Sequence, residues 1–175
     1  MIIEVLRHAK ALGRRRWGDA PDRDRPLDPT GLTQAAALAE VFAVHRPDRL
    51  ITSPLTRCVQ TVQPIAAATG ATIEVEASLA ELRTLPAHDR GSPWVASAWL
   101  AGRGLELIDG IVADPRLERV VLCSHGDVIS ALLAALVGRD GLDLPDVHVR
   151  KGGRVTLTVT NGRVGAALPV PPPAG

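Results

Sequence analysis

The apolar positions of this chain fall into short runs and helical stripes that take turns along it. Ile2, Ile3, Val5 and Leu6 make a first run, broken only by Glu4, and predict a buried strand. From Ala9 to Leu27 there is neither a helical nor a strand period, only arginine, aspartate, glycine and proline around Trp17. Structureless loops longer than ~12–15 residues are usually functional or disordered. This one starts directly behind Arg7-His8, which favours function. Asp28-Pro29 pairs a side-chain acceptor with a proline, a helix start. Leu32, Ala35, Ala36, Ala39, Phe42 and Ala43 then give a helix over about 29–45. Leu50 and Ile51 mark a second strand, Arg49 to Thr52. Ser53-Pro54 repeats the cap-plus-proline signal and Gly70 supplies a stop, predicting a helix over about 54–69. Leu55, Val59, Val62, Ile65 and Ala66 would face inward, and Arg57 would sit in the first turn.

Thr72 to Val75 predicts a third strand, followed by an irregular charged segment, Ala77 to Gly91, with Glu81, Arg83, His88, Asp89 and Arg90. Ser92-Pro93 begins a helix that Gly102 and Gly104 interrupt, with a further helical stretch to about Ala113. Arg119 to Ser124 is a strong buried strand, and His125-Gly126-Asp127 leads into a helix stopped by Gly138. Val155 to Val159 and Arg163 to Leu168 flank Asn161-Gly162, a hairpin signal. Strands alternating with helices imply an α/β fold, a three-layer α/β/α domain with a mostly parallel central sheet and a C-terminal antiparallel hairpin. Residues 1–168 read as one domain without repeats, and 169–175 as a loose Pro-rich tail.

Composition narrows the function classes. At 46% hydrophobic and 22% charged, the chain has the balance of a folded domain. A formal net charge of +1 gives no global field for nucleic acid or a membrane surface, and three tryptophans with one phenylalanine make a poor base-stacking platform. No apolar stretch reaches the ~18 residues of a membrane span, and the first residues lack signal-peptide features. Cys58 and Cys123 form no metal-ligand pattern and suggest a reducing compartment. The expectation is a cytoplasmic protein with no metal, no cofactor, no nucleic-acid partner and no membrane contact. No Walker sequence, zinc spacing or dinucleotide fingerprint is present.

In a parallel sheet, ligands bind beyond the carboxyl ends of the strands. Two predicted strands end there in histidine, His8 and His125, and a third leads to the helix carrying Arg57. Arginine presents a planar fork matched to phosphate oxygens, so Arg7 and Arg57 could hold a phosphoryl group from two sides. A neutral imidazole is a competent nucleophile near pH 7. One histidine could attack phosphorus while the other donates to its oxygens. Arg57 in a first helical turn opposes the helix dipole, so an anion is its natural partner. Lys10 and Arg14 stand close behind in sequence and are candidate substrate contacts. Arg14-Arg15-Arg16 reads either as a solvated run or as a site for further substrate phosphates. His45 and His148 read as surface residues, and Cys58 as a packed thiol.

Leu6-Arg7-His8-Ala9-Lys10, Arg25-Pro26-Leu27 with Gly31 and Gln34-Ala35, Thr52-Ser53-Pro54-Leu55-Thr56-Arg57 with Gln60-Thr61, and Ser124-His125-Gly126 occur in that order. Together they resemble the histidine phosphatase (phosphoglycerate mutase-like) superfamily over about residues 1 to 130. The Arg-His-Ala-Lys and Arg-Pro-Leu forms are most similar to the SixA-type phosphohistidine phosphatases and to the phosphatase domains fused to some actinobacterial Nudix hydrolases. The resemblance implies that His8 is transiently phosphorylated, that Arg7, Arg57 and His125 form the phosphate pocket, and that Glu81, in Leu79-Ala80-Glu81, is a general acid. Ala9 and Lys10, where many members have glycine and glutamate, weaken the transfer of mutase activity. The implied function is a metal-independent phosphatase acting on phosphohistidine proteins or small phosphoesters. Nucleoside di- or triphosphates are the alternative substrates, and a non-catalytic phospho-ligand module is the alternative class.

Overall fold

The computed structural model describes residues 1–81 and 93–173. Arg83, His88, Asp89 and Arg90, and the Ser92 cap expected before the fourth helix, lie outside the described residues. Six strands form one sheet: β1 (Ile2–Arg7), β2 (Arg49–Thr52), β3 (Ile73–Val75), β4 (Arg119–Ser124), β5 (Arg154–Thr160) and β6 (Arg163–Val170). Their order is β3-β2-β4-β1-β5-β6; the first four run parallel, and β5 and β6 add the antiparallel hairpin. Asn161 and Gly162, with φ of 53° and 74°, make its turn. The strand runs through Pro169 to Val170, two residues into the expected tail.

Helices α2 (Pro29–Val44) and α3 (Thr56–Thr69) cover one face. They bury Leu38, Phe42, Cys58, Val62 and Ile65 against Leu6, Leu50, Val121 and Cys123. Helices α4 (Pro93–Val112) and α5 (Gly126–Asp140) cover the other, with Ile108, Ile111, Leu132 and Leu136 against Ile3, Val5, Val120 and Leu122. At about 1.5–3 kcal/mol for each fully buried aliphatic side chain, these two layers hold the sheet together. Glu4, the polar break in β1, is buried but answered on both sides by Arg119 at 2.8 Å, Arg154 at 3.1 Å and Thr156 at 2.7 Å.

The structure departs from the sequence expectations at three helices. α3 begins at Thr56, because the Ser53 hydroxyl faces His125 and leaves that helix end without a side-chain cap. Its buried face consequently includes Arg57, Cys58 and Thr61, and not Val59. α4 is a single helix through Gly102 and Gly104, since its packing outweighs the ~1 kcal/mol cost of an internal glycine. α5 passes Gly138 and ends at Gly141, which adopts the left-handed cap. The segment behind Arg7-His8 also carries local order, with α1 (Arg14–Trp17), a 3-10 turn over Asp22–Asp24 and a bridge between Ala11 and Leu27.

Candidate active site

The carboxyl ends of β1, β2 and β4 meet at one edge, and the residues singled out in the sequence meet there too. β1 and β4 run in register, Arg7 opposite Ser124, so His8 and His125 emerge side by side with ring centroids 5.3 Å apart. Their neighbours hold them in place. Ala9 N–H donates to Thr61 Oγ at 3.0 Å, Leu27 N–H to Gln60 Oε1 at 2.8 Å, and Lys10 N–H to Gln34 Oε1 at 2.9 Å. The glutamines and threonine of the helical motifs therefore anchor the backbone behind the histidine. Gly31 serves the same end, since a Cβ there would collide with the Lys10 carbonyl.

His8 is 4% exposed, and its Nδ1 lies 2.7 Å from the Ala9 carbonyl. A carbonyl only accepts, so Nδ1 carries the proton and the Nε2 lone pair is free. Burial, then the charges of His125, Arg57 and Arg7, push its pKa from 6.5 to about 3 against the pull of that hydrogen bond. His8 is thus a neutral imidazole across the physiological range.

Arg57 is fully buried. Its Nη2 donates to Glu81 Oε2 at 2.6 Å, and its Nη1 donates to the Asp22 carbonyl at 2.9 Å and pairs with the Asp22 carboxylate at 3.3 Å. His125 Nε2 faces Ser53 Oγ at 2.8 Å, and its Nδ1 lies 3.3 Å from Glu81 Oε1, close enough for charge pairing without hydrogen-bond alignment. Burial opposes protonation of His125, but Cys58 and Glu81 raise its pKa to about 9. Cys58 acts first, through its sulfur 3.5 Å from Nε2; burial holds that thiol protonated, so the carboxylate charge in the shift is Glu81's. Burial works against the Glu81 charge too, yet His125, Arg57 and His8 lower its pKa from 4.5 to about 2. In this geometry Glu81 is a carboxylate bridging the two cations.

Arg7 donates from Nη1 to the Val149 carbonyl at 2.8 Å and lies against Gly126. A Cβ at Gly126 would stand 2.7 Å from Arg7 Cζ, which explains a glycine directly after His125. Gly126→Ala is expected to keep the fold, because only a guanidinium must move, while lowering kcat/KM on a phosphoester about 100-fold, the usual cost of a misplaced site group. Steady-state kinetics beside a melting curve checks both halves.

Of four buried polar side-chain atoms without a hydrogen-bond partner among the described residues, one is the Ser78 hydroxyl and three are the site donors Arg7 Nε, Arg57 Nε and His125 Nδ1. Buried donors without acceptors are rare and costly, so their gathering near the His8 imidazole describes an anion cradle. Lys10 and Arg14 lie further out: Lys10 pairs with Asp28 at 3.2 Å, and Arg14, largely exposed, approaches Asp22 at 3.6 Å. Asp22, not among the sequence candidates, pairs with Arg25 at 2.7 Å and with Arg57. Its spacing of three from Arg25 was the available signal. Among the described residues no group of three or more His, Cys, Asp or Glu could hold a metal ion, and no helix is long and apolar enough to cross a membrane.

An 8-oxo-(d)GTP phosphatase of Mycolicibacterium smegmatis is 30% identical over 171 residues, covering 98% of this chain and 48% of that protein, so the chain spans about half the length of that relative. A solved mycobacterial glucosyl-3-phosphoglycerate phosphatase superposes with a TM-score of 0.71 at 22% identity over 99% of each chain. The protein histidine phosphatase SixA with tungstate gives 0.63 at 19% identity over 98% of this chain and 97% of that one. At such identities the two structures establish a shared fold. The sequence profile of the histidine phosphatase superfamily (branch 1) matches residues 3–90 and 97–168, nearly the whole chain, and the chain belongs to that family.

Proposed function

We propose that the protein is a metal-independent phosphatase working through a phosphorylated His8. The observation that carries this reading is the three unsatisfied donors gathered around a buried, neutral His8 with its Nε2 lone pair free. His8 Nε2 attacks phosphorus and the bond to the leaving oxygen breaks in line. Arg7, Arg57 and protonated His125 hold the phosphoryl oxygens and neutralise the charge that builds on them. Water then attacks the phosphohistidine, the P–N bond breaks, and phosphate leaves.

Glu81 enters this cycle through displacement. The arriving phosphoryl dianion takes over the donors of Arg57 and His125 that Glu81 now occupies. Freed from both cations and facing a dianion, its carboxyl regains a proton and gives it to the leaving oxygen; it then accepts a proton from the attacking water. Glu81→Gln is therefore expected to lower kcat/KM for an alkyl phosphate by about 10²–10³, yet to change kcat/KM for p-nitrophenyl phosphate little, since kcat/KM covers the steps up to phosphoenzyme formation and nitrophenolate leaves without a proton. Equal losses on both substrates would contradict the role. The same variant tests the electrostatics. The account requires protonated His125, so kcat/KM falls as pH rises through about 9. Without the Glu81 charge, that alkaline limb moves down toward the ordinary imidazole value.

The substrates proposed are phosphohistidine or small phosphoesters. The 30% identity to an 8-oxo-(d)GTP phosphatase across 98% of the chain favours nucleoside di- or triphosphates as the second reading. Hydrolysis of p-nitrophenyl phosphate in the presence of chelator tests the activity itself. Turnover is expected, and its absence with correctly folded protein would overturn the proposal.

A further inference from the structure

A turn from the far end of the chain lies across the nucleophile segment. Arg150–Lys151–Gly152–Gly153 closes on itself through Gly153 N–H to the Arg150 carbonyl at 2.8 Å. It is clamped to β1 at three points: Gly152 N–H donates to the Arg7 carbonyl at 3.1 Å and the His8 carbonyl at 3.2 Å, and Arg7 N–H donates to the Gly153 carbonyl at 2.9 Å. Gln34 ties the same turn to the next segment, accepting from Lys10 N–H at 2.9 Å and reaching the Lys151 carbonyl at 3.5 Å. The backbones of Lys10 and Lys151 are thus fixed to one glutamine, flanking His8.

The charges there are unbalanced. Asp28 is the carboxylate beside both lysines, and it is engaged twice: one oxygen accepts Gly31 N–H at 2.8 Å as the helix cap, and the other pairs with Lys10 at 3.2 Å. Arg25 is committed to Asp22 and the Leu12 carbonyl. Lys151 makes no ion pair among the described residues. Lys151 is exposed, yet partial desolvation, with Arg7, Arg25 and Lys10 as like-charged neighbours, holds its ammonium below its usual pKa, and Asp28 only partly opposes them. An unmatched cation beside three others, on a backbone this tightly fixed, is suited to an anion that arrives with the substrate.

We propose that Lys151, with Lys10, forms a second anion subsite beside the His8 pocket, selecting substrates whose transferred phosphoryl group is joined to a second anionic group, as in a phosphoanhydride or a phosphorylated acid. This rests on the phosphoryl-transfer reading of His8. It makes Lys151 a specificity determinant, placed by a turn more than 140 residues from the nucleophile. A phosphohistidine protein, with one phosphoryl group on an imidazole, leaves this subsite unfilled.

Binding of three non-hydrolysable probes tests it without turnover: methylphosphonate with one anion, methylenediphosphonate with a second phosphonate, and phosphonoacetate with a carboxylate. Calorimetry on the wild-type chain is expected to show one or both two-anion probes binding at least about tenfold tighter than methylphosphonate, the size of one charge-assisted hydrogen bond. The tighter of the two identifies the second anion. Lys151→Met should remove most of that gap and Lys151→Glu should reverse it, while Arg116→Ala, at the opposite end of the sheet, should leave it intact. A gap that survives Lys151→Met, or no gap in the wild type, overturns the subsite. Failure of methylphosphonate itself to bind, together with no hydrolysis of p-nitrophenyl phosphate, would instead overturn the phosphatase reading beneath it.

Discussion

Alanine at position 8 is expected to lower p-nitrophenyl phosphate turnover by about 10⁴–10⁶, the scale on which removal of a covalent nucleophile acts. Among the described residues His8 has no substitute nearby. His125 is the neighbouring imidazole, but its pKa of about 9 leaves it protonated and without a lone pair at neutral pH. Water would have to attack directly in a site shaped for a nitrogen. The loss should appear in kcat with little change in the affinity for inorganic phosphate, because Arg7, Arg57 and His125 remain. Stability should hold or rise slightly. Folding buries a neutral imidazole whose pKa is about 3, against 6.5 in the unfolded chain, so between those values the unfolded state takes up a proton that the folded state refuses. His8→Ala removes this source of acid instability, and thermal melts from pH 4 to 7 would register it. Retained turnover in the variant would contradict the assignment of His8.

Arg57→Ala carries the second large effect, on activity and stability together. Arg57 is fully buried between the Asp22 and Glu81 carboxylates and the Asp22 carbonyl. Removing it takes a donor fork from the proposed phosphoryl site and leaves both carboxylates short of a counter-charge. One preorganised donor is worth about 10²–10³ in rate, and Arg57 supplies more than one, so kcat/KM should fall by at least about 10³. Breaking a buried ion pair costs about 3–5 kcal/mol; Asp22 and Glu81 keep some solvent contact, so the lower end applies. Arg57→Lys separates the two effects. It restores a charge but not the planar fork, and should recover much of the stability with little of the activity. A lysine variant with wild-type kinetics would show that charge alone suffices.

The legibility of this fold followed the local signals. Each strand named from its apolar run is present, the Asp28-Pro29 start is a true cap, and Asn161-Gly162 makes the hairpin turn. Expectations failed where tertiary contacts override local chemistry. Ser53 has the sequence of a helix cap but is drawn to His125, just beyond the end of β4. Gly102 and Gly104 look like breaks but sit in a helix secured by its packing on α5. In the site, Arg7, His8, Arg57 and His125 were legible because strand ends and a helix start place them. Asp22 and the proposed role of Lys151 were not, because an acidic loop residue and a lysine in a glycine turn acquire meaning only when distant segments close, the one on Arg57 of α3 and the other on the end of β1.

The central claim is covalent. Mixing the protein with a radiolabelled phosphoester and quenching in alkali within milliseconds should trap up to one phosphate per chain, stable to alkali, labile to acid, and located on the peptide containing His8. With a labelled aryl phosphate, whose leaving group needs no acid, Glu81→Gln should accumulate more of it, since the water that clears the intermediate loses its base. Steady turnover by wild-type enzyme with no trapped phosphate, or with label on any other residue, would contradict the account.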